Sequence, residues 1–132
     1  MFLDIISDFL SSCPLFSGKN ITHNYLSPSL SSVGLLSVAD NPVLKTYTDG
    51  GALYQTVFKI ILREPFDREN NFSSFYSSFS SWVESVNSSS ALPGLNNGFS
   101  PVSLSILKSG TVSASSPSFS EFEILCRLTY TK

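Results

Sequence analysis

Charged side chains are scarce in this chain. Asp, Glu, Lys and Arg make up 14% of its 132 residues, where an average soluble protein carries about 25%. The net charge is −2, so the basic surface that a nucleic-acid binder needs is missing. Cysteine is nearly absent, with only Cys13 and Cys126. Neither sits in a Cys-x-x-Cys pair or in a Cys/His cluster of zinc spacing. Disulfide-dependent scaffolds are shorter and far richer in cysteine, so no bridge is expected. Cys126 lies in an apolar alternation and reads as a small buried hydrophobe.

No apolar run approaches the roughly 18 residues of a membrane span. The opening MFLDIISDFL carries Asp4 and Asp8 and lacks the basic segment of a secretory signal, which predicts a cytoplasmic protein. The Asn-x-Ser/Thr triplets at Asn20, Asn71 and Asn87 then read as chance products of a serine-rich chain.

Groupings that carry chemistry are also thin. His23 is the one histidine, and there is no Gly-x-Ser-x-Gly elbow. A triad would have no other base, and His23 reads better as an exposed strand residue. Glu121 and Glu123 share a strand face at a spacing an acid/base pair can use, but that is also how any solvated strand face looks. Asp49-Gly50-Gly51 lacks the lysine and the spacing of a phosphate loop. The aromatics fall on core stripes, with few basic neighbours of the kind single-strand binding uses. No catalytic residue, cofactor or metal is expected, and an enzyme is disfavoured.

What the chain has in abundance is serine, about a fifth of its residues. Length predicts a single domain spanning residues 1–132. Phe2, Leu3, Ile5, Ile6, Phe9 and Leu10 recur at helical spacing, and Pro14 ends that helix. Strands are expected over Ile21–Leu26, Val33–Val38 and Val43–Thr48. Asp49-Gly50-Gly51 supplies the left-handed positions of a tight hairpin. Its second arm is Ala52–Arg63, with Tyr54, Phe58, Ile60 and Leu62 facing the core. That arm is long enough to require a bend or an overhang beyond the sheet.

Asp67 or Asn70 can cap a second helix reaching Asn87, whose stripe is Phe72, Phe75, Tyr76, Phe79, Trp82, Val83 and Val86. Serines fill its other face. Serine is a mediocre helix former, so packing must hold this helix, with Trp82 as a core residue. A strand follows over Val102–Leu107, then a polar loop over Thr111–Pro117. The last strand is Phe119–Tyr130, with Phe122, Ile124, Cys126, Leu128 and Tyr130 inward. The expected fold is α+β: one antiparallel-rich sheet, two helices packed on one face, and a long β-hairpin arm.

Several segments in this order resemble a known family. Cys13-Pro14-Leu15 follows the first helix, and a strand ends in Tyr25-Leu26. Asn41-Pro42-Val43-Leu44-Lys45-Thr46-Tyr47-Thr48-Asp49-Gly50 precedes a long strand reaching Arg63-Glu64. Phe75, Phe79, Trp82 and Val83 precede Leu92-Pro93, and the chain closes on Cys126-Arg127-Leu128-Thr129-Tyr130. The order is similar to that of the small minor capsid or tail-terminator proteins of long-tailed bacteriophages. The loop Ser109–Ser118 looks shortened by comparison.

The resemblance implies a structural virion protein at the head–tail junction, made in the host cytoplasm. It implies a hexameric ring that caps the tail tube at its head-proximal end. The partners it implies are further copies, the major tail tube protein and the head connector or head-completion protein. DNA only passes through the channel, and no membrane is involved. Candidate contacts to subunit or tube are Tyr47, Asp49, Gly50, Gly51, Arg63 and Glu64. A register-setting role for the Tyr47–Gly50 turn, with Tyr47 as a cross-strand aromatic, stays open beside this. The alternatives are a head-completion or neck protein and, in another class, a small hydrolase or ligand-binding domain.

Overall fold

The computed structural model describes residues 3–16, 20–23, 32–38, 42–65, 73–89, 91–95, 98–115 and 119–131. Helix α1 spans Leu3–Ser11 and buries Leu3, Ile6 and Leu10. Its last carbonyls are taken up locally. Ser11 Oγ donates to the Asp8 carbonyl and Ser12 Oγ to that of Phe9, each at 2.6 Å. Serine hydroxyls compete with the helix ladder in this way. A single 3-10 turn, Pro14–Phe16, follows and buries Phe16.

Among the described residues there are six strands: β1 Asn20–His23, β2 Ser32–Val38, β3 Val43–Thr46, β4 Ala52–Pro65, β5 Ser100–Ser115 and β6 Phe119–Thr131. Helix α2, Ser73–Ser88, separates β4 from β5. The strands form one sheet in the order β1-β2-β4-β6-β5, with β3 paired to β4. Only β1 and β2 are parallel; every other pairing is antiparallel.

The strict alternation of β4 and β6 sets the core. Phe58, Ile60 and Leu62 lie against Cys126, Ile124 and Phe122 by register, and all six are buried. Val33 and Leu35 extend the same surface onto β2, and Leu104 onto β5. Buried residues of α1, the 3-10 turn and α2 join this one cluster, so both helices cover the same face. Phe79 of α2 is wholly buried. Its ring lies 6.0 Å from Phe16, 6.3 Å from Phe75 and 6.0 Å from Trp82. Trp82 also meets Phe9 of α1 at 5.1 Å, within the range where aromatic pairs attract. On the outer side of α2, Ser77, Ser78, Ser81, Ser85 and Ser88 are exposed.

One side chain ties α2 to the sheet. Asn87 Nδ2 donates to the Leu104 carbonyl at 2.8 Å, and the Leu104 amide donates to Asn87 Oδ1 at 2.9 Å. The carboxamide thus completes both backbone groups of one β5 residue, as a further strand would.

The α+β reading stands, with differences in detail. Strand β4 does not leave the sheet, because β6 pairs with it from Leu53 to Pro65. The arm is therefore shorter than Val43–Arg63. Only β3, the turn and the first residues of β4 lie beyond β2, whose pairing stops at Val38 opposite Val57. Strand β3 ends at Thr46, two residues before the expected Thr48, because Tyr47 and Thr48 belong to the turn. The expected loop from Thr111 is strand through Ser115. Its only large apolar residue is Val112, which with Ala114 alternates against Thr111, Ser113 and Ser115, and β6 pairs with it to Ser120. The expected helix caps Asp67 and Asn70, the stripe residue Phe72, the strand end Tyr25-Leu26 and Pro117 lie outside the described residues.

Candidate interaction surface

The hairpin turn is built from the residues the sequence singles out. The Tyr47 amide donates to the Gly51 carbonyl at 2.8 Å, and the Gly50 amide to the Tyr47 carbonyl at 3.1 Å. Asp49 Oδ1 accepts from the Gly51 amide at 3.0 Å, a bond aspartate makes readily in turns. Gly50 has φ +92°, a value side chains other than glycine rarely adopt. Gly51 does not have a positive φ, so the turn needs one left-handed glycine rather than two.

Every residue from Pro42 to Gly51 is exposed. Strand β3 thus buries neither face, and its order comes from its ladder with β4. Tyr47 is 43% exposed, with Lys45 Nζ 5.5 Å from its ring centroid. The base of the arm is firmer. Tyr54 stacks on Tyr130 at 5.6 Å, and Phe99 closes edge-on against both, at 5.7 and 5.1 Å.

Arg63 and Glu64 lie at the other end of β4, twelve residues beyond Gly51. At about 3.3 Å per residue that is roughly 40 Å away, so the six candidate residues do not form one site. Glu64 pairs by backbone with Ser120, and its side chain lies outside the described residues. Arg63 faces Glu121 directly across the ladder, and its Nε donates to Glu121 Oε1 at 3.0 Å. Lys59 Nζ lies 3.2 Å from Glu123 Oε1.

Glu121 and Glu123 are thus bound to β4 cations, and the simple solvated face expected for them is replaced by a charged lattice. That lattice decorates the sheet face opposite the helices. Val57 and Ile61 are buried on it without joining the core cluster. By register they are flanked by Lys59, Arg63 and Arg127, whose methylene stems cover apolar surface. Arg127 Nε is buried with no hydrogen-bond partner.

Among the described residues, no group of three His, Cys, Asp or Glu is placed to hold a metal ion. His23 ends β1 opposite Leu35, and its side chain lies outside the described residues. Cys13 and Cys126 are free thiols, both buried. Burial pushes the Cys126 thiol up to about 12 and also raises Cys13, which keeps both in the unreactive protonated form. No described helix is long and apolar enough to cross a membrane.

The sequence missed a feature of the edge strands. Three large apolar residues are extra residues in β-bulges. Leu44 falls between the Val43–Tyr54 and Lys45–Leu53 pairs. Val102 falls between Pro101–Tyr130 and Ser103–Thr129, and Leu107 between Ile106–Cys126 and Lys108–Leu125. They are 40%, 49% and 42% exposed. Val102 keeps phase with Leu104 and Ile106 in the sequence, so only the ladder marks it as extra.

No protein-family model matches the chain, and no curated protein matches it at a significant level.

Proposed function

We propose that this chain is a structural virion subunit that caps the tail tube at its head-proximal end and helps form the head–tail junction, as a ring of copies. The observation that carries this reading is the arm. Strand β3 and the Tyr47–Gly51 turn extend one edge of the sheet, exposed throughout, on a base fixed by Tyr54, Tyr130 and Phe99. Ring subunits need such a heterologous contact, in which one surface reaches a different surface of the next copy. The order of segments, from Cys13-Pro14-Leu15 through Tyr47–Gly50 to Arg127–Tyr130, supports the same assignment through the resemblance to minor capsid and tail-terminator proteins. A serine-rich surface suits this work. It is polar, yet it can be covered without stripping water from charges.

In this reading the subunit makes and breaks no covalent bond, and its partners are its own copies, the tail tube protein and the head connector. Electron microscopy of particles assembled without the chain tests it. The expected defect is tails of irregular or excessive length that do not join heads. Normal tails joined to heads would overturn the proposal. Empty or leaking heads beside normal tails would move the chain to the neck.

A further inference from the structure

The exposed large hydrophobic residues among the described positions are Val43, Leu44, Tyr47, Val102 and Leu107. Three lie on the β3 arm and two on β5, which border the sheet on opposite sides. Natural sheets protect their edges with charges or with bulges that turn the edge away. Here bulges are present, but the residues they turn outward are Leu44, Val102 and Leu107, and Ser100–Leu107 contains no charge at all.

We propose that copies of this chain associate head to tail through these two edges, with Leu44 of one copy packing against Val102 of the next. The inference rests on the ring reading above and assigns its subunit contact. Three observations favour a second copy as the occupant.

Leu44 and Val102 lie at one level of the sheet. Val43, Tyr54, Tyr130 and Pro101 form a single cross-strand row, which begins beside Leu44 and ends beside Val102. The row crosses three strand spacings, about 14 Å at about 4.8 Å each. Surfaces level with each other on opposite edges permit rotation with little rise, which closes a ring; a large rise would wind a filament.

Direction agrees as well. Strand β3 is antiparallel to β4, β4 to β6 and β6 to β5, so β3 and β5 run in opposite senses. A neighbour related by rotation about an axis along the strands sets its β5 antiparallel to this β3, which continues the sheet's prevailing pattern.

The area argues for closure. The exposed apolar area at the two edges is small, a few side chains about two-fifths exposed. A stable complex buries about 800 Å² per partner. One such contact is therefore weak, while a closed ring gains a contact with no added free end. The free chain should then pass from monomer to closed ring without abundant open intermediates.

The test is cross-linking by a short bismaleimide between a Leu44→Cys chain and a Val102→Cys chain, in concentrated solution and in assembled particles. Cys13 and Cys126 are 1% and 0% exposed and stay silent. Both substituted positions are exposed, so folding is retained. The expected result is a cross-link in the mixture and none within either variant alone. Leu44→Asp and Val102→Asp should each abolish rings, and mixed together they should yield dimers only. Oligomers that cross-link Val102 to Val102, or that form without the mixed product, overturn the edge assignment and leave the ring reading standing. A chain that stays monomeric in solution and in particles overturns both.

Discussion

Arg63 and Glu121 face each other across β4 and β6, and both Nε and Nη2 of the guanidinium reach the same carboxylate oxygen, Oε1. Their side chains are only 18% and 15% exposed, on the sheet face that no described helix covers. A charge-assisted bond with little access to water is stronger than an exposed ion pair. Arg63→Ala and Glu121→Gln should each destabilise the fold, and a double-mutant cycle by urea denaturation should give a coupling of about 1–2 kcal/mol. Additive losses would show that the pair contributes nothing beyond its separate parts.

Asn87 should matter out of proportion to its size. Its carboxamide is both donor and acceptor for Leu104, so Asn87→Ala leaves two backbone groups of β5 without that partner. The expected loss is about 1–3 kcal/mol. Asn87→Asp, which keeps the acceptor alone, should also lose stability. The same engagement sets the Asn87-Ser88-Ser89 triplet apart from a glycan acceptor, which needs a free amide.

The two glycines of the turn should behave differently. Gly50→Ala forces a side chain into φ +92° and should cost about 1 kcal/mol. At Gly51 an added Cβ meets Asp49 Oδ1 at 3.2 Å, an atom at the end of a side chain that can shift. Gly51→Ala should therefore cost less than Gly50→Ala, as read from denaturation midpoints at unchanged slope. An equal or reversed order would contradict the turn geometry.

The buried thiols give the fold an alkaline weakness. Burial holds Cys126 at about 12 against an ordinary 9.0. Between those values the unfolded chain releases a proton that the folded chain keeps, so stability falls as pH rises. The effect is absent below about 9 and adds at most about 1.4 kcal/mol per pH unit above it. Cys13 acts in the same sense. Denaturation curves from pH 7 to 11 should fall less steeply for Cys126→Val than for the natural chain, whatever the variant's own stability. Thiol reagents near neutral pH should label neither cysteine until the protein unfolds.

Strands β4 and β6 were legible because their alternation is unbroken: Phe58, Ile60 and Leu62, and Phe122 through Tyr130, go where a period of two sends them. The stripe of α2 was equally clear from Phe75 to Val86. Strand β5 was half hidden. Bulges at Val102 and Leu107, with further register shifts after Lys108, reset the period, so its second half looked like a polar loop.

The candidate site fared similarly. The Tyr47–Gly51 turn could be found because turn chemistry is local. The ion pairs of Arg63 and Lys59 could not, since each depends on a register set more than fifty residues away in sequence. Val102 and Leu107 were read as ordinary strand residues, because only the ladder shows which residue is extra.

The central claim, that this chain works as one subunit of a ring between tail and head, is tested most directly by cryo-electron microscopy of the head–tail junction in particles that carry it. The account predicts a ring of this six-stranded fold seated on the last layer of the tail tube, with β3 of each copy beside β5 of the next. Purified, infectious particles that contain no copy of the chain would contradict it.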